Sequence, residues 1–224
     1  MTENFYRLTI GVFDTASYLS HQDEARIIER ALRRADFKLV FTQGFSPRPV
    51  LSFGPARPTG FGSLTDFFEI VLKEDVTGDF LKIKLNDKLP AGFFVFEAKK
   101  IKESEFGKLN RLIRGSTLGI IINSPNGLDA ILSLLNSRFG SYGLFAHSPE
   151  SERNFIEKTD KVIKNGKIYQ KKRGRLITFM PHEANVVIPR LDKIFLAQSS
   201  DQNILQIIEG IYILKYHWNS EGAG

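Results

Sequence analysis

Hydrophobic and polar positions change period several times along this chain. Tyr6 to Phe13 alternates as a strand does, and Ile27, Ile28, Ala31, Leu32 and Ala35 then recur at helical spacing. Ser20 precedes that run as a cap, with Asp23 at the third position of a capping box, so a helix is predicted from Ser20 to about Asp36. Phe37 to Thr42 is predicted as a second strand. Residues 43–63 hold four of the nine prolines and four glycines, which predicts a long ordered loop with a short strand around Val50 to Phe53. Asp66 to Lys73 as a strand, Thr77 to Leu85 as a short helix and Phe93 to Lys99 as a strand complete the order β-α-β-β-α-β, the ferredoxin-like arrangement.

The second half repeats the theme less clearly. Leu118 to Ile122 reads as a strand. The segment from Leu128 to Phe139 reads as a helix with an apolar face at Leu128, Ile131, Leu132 and Leu135, between Asn126 as cap and Gly140 as stop. Leu176 to Met180, Ala184 to Ile188 and Ile194 to Leu196 read as mainly antiparallel strands. Asn203 to Glu209 reads as a helix, which Ile211 to Trp218 either continues or follows as a final strand, the strand being preferred after Gly210. The expected fold class is α+β: two ferredoxin-like halves with mainly antiparallel sheets, residues 1–90 and 91–218, and a disordered tail at 219–224.

Composition narrows the chemistry. With 224 residues, 42% of them hydrophobic and 25% charged, the chain is long enough for one or two cores. It has no run as long as a membrane span, and MTENFYRLTI lacks the charged and apolar regions of a signal peptide, so a cytoplasmic protein without membrane contact is expected. The absence of cysteine excludes disulfides, thiolate nucleophiles, zinc ribbons and an iron–sulfur cluster held by the chain's own thiolates. His182-Glu183 lacks the second histidine of a zinc-protease helix, no nucleotide-binding fingerprint is complete, and neither a metal nor a cofactor is expected.

A net charge of +6 points to an acidic partner, with RNA the leading class. Lys158 to Arg175 carries eight basic residues against Asp160 alone. Asn165-Gly166 inside this stretch has the signature of a two-residue hairpin turn, so Lys161, Lys164, Lys167, Tyr169, Lys171, Lys172, Arg173 and Arg175 are predicted on a basic ribbon. Such a ribbon either contacts phosphates or keeps an exposed hairpin soluble. The helix face of Arg26, Arg30, Arg33 and Arg34 is a second basic surface. The loop residues Gln43, Gly44, Phe45, Arg48 and Arg57 form a third, suited to phosphates and stacked bases, unless its phenylalanines anchor a structural loop. Asp66 and Glu69 read as ordinary surface charges.

The stretches Ser20-His21-Gln22-Asp23, Arg26, Glu29 to Ala35, Gln43-Gly44-Phe45-Ser46-Pro47-Arg48-Pro49, Leu85-Asn86 and Leu89-Pro90-Ala91-Gly92 together resemble the radical-SAM-linked proteins of unknown function. That family's pattern is similar to SHLD, an arginine-rich helix and SQGFNPHP, and the likeness covers roughly the first 95 residues closely. Here Gln22 replaces the leucine, Thr42 the serine, Ser46 the asparagine and Arg48 the histidine. The resemblance implies an accessory module beside a separate radical SAM protein, which must itself hold the cluster.

His21 is the leading single site residue, since the first turn after a cap is exposed at the positive helix end and is expected to face the Gly44 loop. It serves either as a general base, with Tyr18, Ser20 or Asp23 as companion, or as a helix-start histidine bonded to Asp23 or to loop backbone. The expected function is therefore a non-enzymatic RNA-binding accessory protein. One alternative is a metal-independent RNA endonuclease using His21, similar to those that process CRISPR repeat RNA, although their C-terminal glycine-rich segment is missing. The other is a protein-binding scaffold without RNA contact.

Overall fold

The computed structural model describes residues 3–122, 144–145, 149–164, 175–179 and 208–218. Strand β1 (Asn4–Val12) is followed by a 3-10 turn and helix α1 (His21–Arg34), then β2 (Leu51–Phe53), β3 (Phe61–Leu72), α2 (Gly78–Lys88) and β4 (Phe93–Ile101). β1 lies between β3 and β4, antiparallel to both, while β2 pairs with the far edge of β3. This is the ferredoxin-like order, α+β with a mainly antiparallel sheet, but its second strand is Leu51–Phe53; the expected strand at Phe37 to Thr42 is reduced to isolated bridges at Leu39 and Phe41, because the chain leaves the sheet edge there.

Alternation along β1 sends Tyr6, Leu8, Ile10 and Val12 to one face, where they meet Ile28, Ala31 and Leu32 of α1 and Leu81 and Leu85 of α2. On the opposite face β1 buries a cross-strand ion pair. Arg7 and Glu69 stand opposite each other in register, 2.8 Å apart, and the free oxygen of Glu69 accepts the Gly107 amide. Both residues are buried, so the carboxylate read as a surface charge is an interior one: its partner lies on another strand, out of reach of local sequence spacing.

The second half adds to the same sheet. A single turn, α3 (Leu109–Leu112), leads into β5 (Ile113–Ile122), which pairs antiparallel with β7 (Arg175–Phe179) and with β8 (Ile208–Trp218); a two-residue β6 (Leu144–Phe145) borders β7. β8 then runs parallel to the start of β3, at Phe61 to Ser63, and joins the halves into one eight-stranded sheet. The expected final strand after Gly210 is present. The first part of β3 thus pairs with β8 and its last part with β2, which explains why twelve residues of it are needed.

Helix α4 (Pro149–Lys164) is the clearest departure from expectation. Lys158, Lys161 and Lys164 belong to it, so the first arm of the expected basic hairpin is helical. Phe155 supplies the physical reason: one face of the helix buries it against Phe94, Leu64 and Tyr212, and the lysine spacing follows the remaining faces. The Asn165-Gly166 turn, residues 167–173 of the ribbon, the 128–139 helix, the strands at 184–188 and 194–196, most of the 203–209 helix and the tail at 219–224 lie outside the described residues.

Backbone contacts set the spacing between layers. A Cβ built on Gly78, the first residue of α2, would stand 1.9 Å from the Ala98 carbonyl oxygen of β4. Gly78→Ala is expected to lower stability by about 1–3 kcal/mol through this overlap, read as a reduced midpoint in urea denaturation.

Candidate functional site

The loop that carries the glycine and arginine residues divides into two parts with different fates. Leu39 bridges to Leu72 and Leu51 pairs with Ile70, so β3 advances two residues while the chain from Val40 to Val50 leaves the sheet edge and returns. Phe41 bridges to Pro49, and the Thr42 amide donates to the Arg48 carbonyl over 2.8 Å, closing the base of a finger. Gln43 to Arg48 are all exposed at its tip. Phe45 is fully exposed, and Gly44 adopts φ 141, open to glycine and poorly accessible to other residues.

The rest of the loop turns inward. Arg57 is buried, with Nε donating to Asp66 Oδ2 over 3.0 Å, Nη1 to the Ser17 and Phe61 carbonyls, and Nη2 to Glu24 Oε1. Tyr216 of β8 donates to the other Asp66 oxygen over 3.3 Å. Arg57 is therefore corrected from an RNA contact to an internal clamp, because its donors are spent on two carboxylates and two carbonyls. Burial pushes the Glu24 carboxyl up to about 7, with the charge of Asp66 adding and Arg57 only partly opposing. Burial and the neighbouring Asp66 also push the Tyr216 hydroxyl well above its ordinary range.

His21 opens onto the same place. Its ring meets Phe53 edge-on with centroids 5.5 Å apart, beside a narrow cleft of about 20 Å³, room for roughly one water. Glu24, Arg57 and Asp66 form its polar wall; Ile28, Phe53, Phe68 and Phe93 supply the apolar one. His21 does not face the finger tip. Arg33 in the last turn of α1 sits over the Phe41 ring at 5.1 Å, so finger and histidine lie at opposite ends of the helix, about 18 Å apart along its axis. Of the companions a general base needs, Ser20 gives its hydroxyl to Asp23 over 2.7 Å and Tyr18 projects outward. The Ser20 cap itself is present, accepting from the Asp23 amide.

The helix arginines are exposed but not equally available. Arg26 pairs with Asp23 and Arg33 with Glu29, while one arm of Arg34 donates to the Lys88 carbonyl at the end of α2 over 2.9 Å. Exposed pairs of this kind are worth only about 0.3–0.5 kcal/mol, so a stronger anion displaces them at little cost. α4 is on the opposite face of the sheet from α1, where Lys158 lies over Phe96 and donates to the Leu64 carbonyl. Burial lowers the pKa of Lys158. Lys158 and Lys161 therefore do not join Arg26 and Arg48 on one surface, while residues 167–173 of the ribbon lie outside the described residues. The side chain of Arg175, at the start of β7, lies outside the described residues.

A family profile described as "Uncharacterized protein conserved in bacteria (DUF2344)" matches residues 6–175, which takes in the finger, the clamp and the cleft. The chain belongs to this family. No curated protein matches it. Among solved structures, the acetolactate synthase small subunit from Thermotoga maritima is similar over 98% of this chain and 99% of that one, at 12% identity and a TM-score of 0.27. The fold assignment of this DUF2344 member rests on its own strand pairing. Among the described residues no helix is long and apolar enough to cross a membrane, and no group of acidic or histidine side chains is arranged to hold a metal.

Sequence reasoning missed Glu24 and Asp66. The available signal was weak: an acidic residue facing the buried side of α1 among apolar neighbours. The raised Glu24 pKa has a definite sign. The folded chain holds a proton up to about pH 7 that the unfolded chain releases near its ordinary value of 4.5. Stability from this group is therefore full below that ordinary value and falls by about 3 kcal/mol as pH rises through neutrality. Glu24→Gln is expected to remove this downward slope, as measured by urea unfolding at pH 5 and pH 8.

Proposed function

We propose that the protein binds RNA through the finger and the adjoining arginine flank of α1, as a non-enzymatic accessory to a separate radical SAM protein. The observation that carries this reading is the tip itself: a fully exposed Phe45 beside an exposed Arg48. An aromatic face with no packing role and a guanidinium next to it suit an unstacked base and its phosphate. Arg33, held over Phe41 at the finger base, and Arg30 one turn earlier extend the charge along α1. The radical SAM partner is proposed from the sequence resemblance, and with no cysteine in this chain the cluster belongs to that partner.

Most of the affinity is expected to come from phosphate contacts, so binding weakens by roughly 0.7–0.9 log units per tenfold salt for each phosphate neutralised. Gel-shift titration of total cellular RNA at two salt concentrations measures this slope. Phe45→Ala removes no packing and is expected to weaken binding about tenfold with unfolding unchanged. A flat salt response, or an unaltered affinity in this variant, refutes the proposal.

A further inference from the structure

The finger is one end of a longer row of aromatic rings and cations. Phe45 stands at its tip and Phe41 at its base, with the Arg33 guanidinium 5.1 Å above the Phe41 ring. Four residues before Phe41, Phe37 carries the same pairing: the Lys84 amine lies 4.9 Å over its ring and 5.5 Å over that of Phe80, which meets Phe37 edge-on at 6.4 Å. Phe37 is buried, but Phe80 is half exposed and Ile83, three residues on along α2, is 68% exposed. The helix therefore offers solvent an aromatic ring and an aliphatic side chain on one face. The cations around that face are not equally engaged. Lys82 and Lys88 pair with Asp79 and Asp87, whereas Lys84 and Arg34 have no carboxylate partner among the described residues.

We infer that the RNA taken by the finger is single-stranded and runs from the tip, past Arg33 and Phe41, to a second stacking station at Phe80 on α2. This path rests on the RNA binding proposed for the finger and adds the class of RNA and the far end of its track. Four residues span at most about 14 Å, so Phe37, Phe41 and Phe45 set their stations within about 28 Å from end to end. That length suits on the order of five nucleotides, the lower end of single-strand site sizes. A duplex keeps its bases stacked on one another and cannot lay them on separate rings; a single strand can. Charge agrees with shape. Arg48 at the tip, Arg33 and Arg34 at the end of α1 and Lys84 on α2 line the row, and phosphate oxygens satisfy them at any base sequence. With Lys84 over its ring and Phe37 at its edge, Phe80 is held in place while its exposed half stays open to a base. A neutral apolar partner would cover Phe80 and Ile83 but leave these cations unmatched.

The test follows fluorescence anisotropy of labelled hexauridylate, and of a ten-base-pair RNA duplex, titrated with the full chain. Hexauridylate is expected to bind about tenfold more tightly than the duplex. Phe80→Ala and Phe45→Ala are each expected to weaken hexauridylate about tenfold and to leave the duplex nearly unchanged, so the duplex also reports that each variant is folded. Lys84→Gln keeps most of the stem that packs on the rings and is expected to lower the salt slope by about one phosphate, which a loss of packing alone does not do. Unchanged hexauridylate binding in Phe80→Ala, or an unchanged slope in Lys84→Gln, overturns the α2 station and assigns that face to a protein contact, while a loss in Phe45→Ala still supports RNA binding at the finger. A duplex bound as tightly as hexauridylate overturns the single-stranded class. No salt-dependent binding of either RNA overturns the track and the finger together.

Discussion

The Arg57 clamp is the interaction on which the arrangement of this molecule depends. One guanidinium ties the first turn of α1 through Glu24, the middle of β3 through Asp66, and the carbonyls of Ser17 in the 3-10 turn and Phe61 at the start of β3. Asp66 passes the connection on to β8 through Tyr216. Elements from residue 17 to residue 216 are thereby linked through one guanidinium and the Asp66 carboxylate that it shares with Tyr216. An arginine suits this place because its fork satisfies several acceptors at fixed angles, which a lysine does not. The cost is an uncompensated acid in a nearly dry setting, and the raised Glu24 pKa is where that cost appears.

One loop produces two surfaces: Arg57 ties its later part to Glu24 and Asp66, while the residues between Val40 and Val50 leave the sheet edge as the finger. Several residues of the family-like pattern then have structural employment. The Asn86 side chain exchanges two hydrogen bonds with the Val95 backbone and so fixes α2 on β4. Gly92, at φ 88, lies where a side chain would strike Ala16 and the Phe13 carbonyl. Ser20 caps α1. The side chains from Gln43 to Arg48 have no such employment, and that contrast separates residues that build the fold from those open to a partner.

Charge is distributed differently from its appearance along the chain. A block of lysines reads as one basic surface, yet α4 carries part of it on the face of the sheet away from α1, and Lys158 spends its stem on Phe96. On α1 the acids Asp23 and Glu29 partly neutralise their arginines. The exposed cations that remain near the finger are few, so recognition there depends on the aromatic tip as well as on electrostatic attraction.

Local patterns in the sequence were sufficient for the capped helix, the alternating β1, the order β-α-β-β-α-β and the final strand around Gly210, although the second strand formed at Leu51–Phe53 and not at Phe37 to Thr42. These depend on spacing, caps and turn residues within a few positions of each other, where the physics is short-ranged. Only the tertiary structure decided what the charged residues do. Arg57, Glu24 and Asp66, like Arg7 and Glu69, find partners dozens of residues away, and whether a charge is buried depends on strands that pair far apart in the chain. The helical rather than extended state of Lys158 to Lys164 was decided in the same way, by the burial of Phe155 against β8 and β4. Sequence periodicity reports which face of an element is apolar; it does not report which other element will cover that face, and the cleft exists only because of that covering.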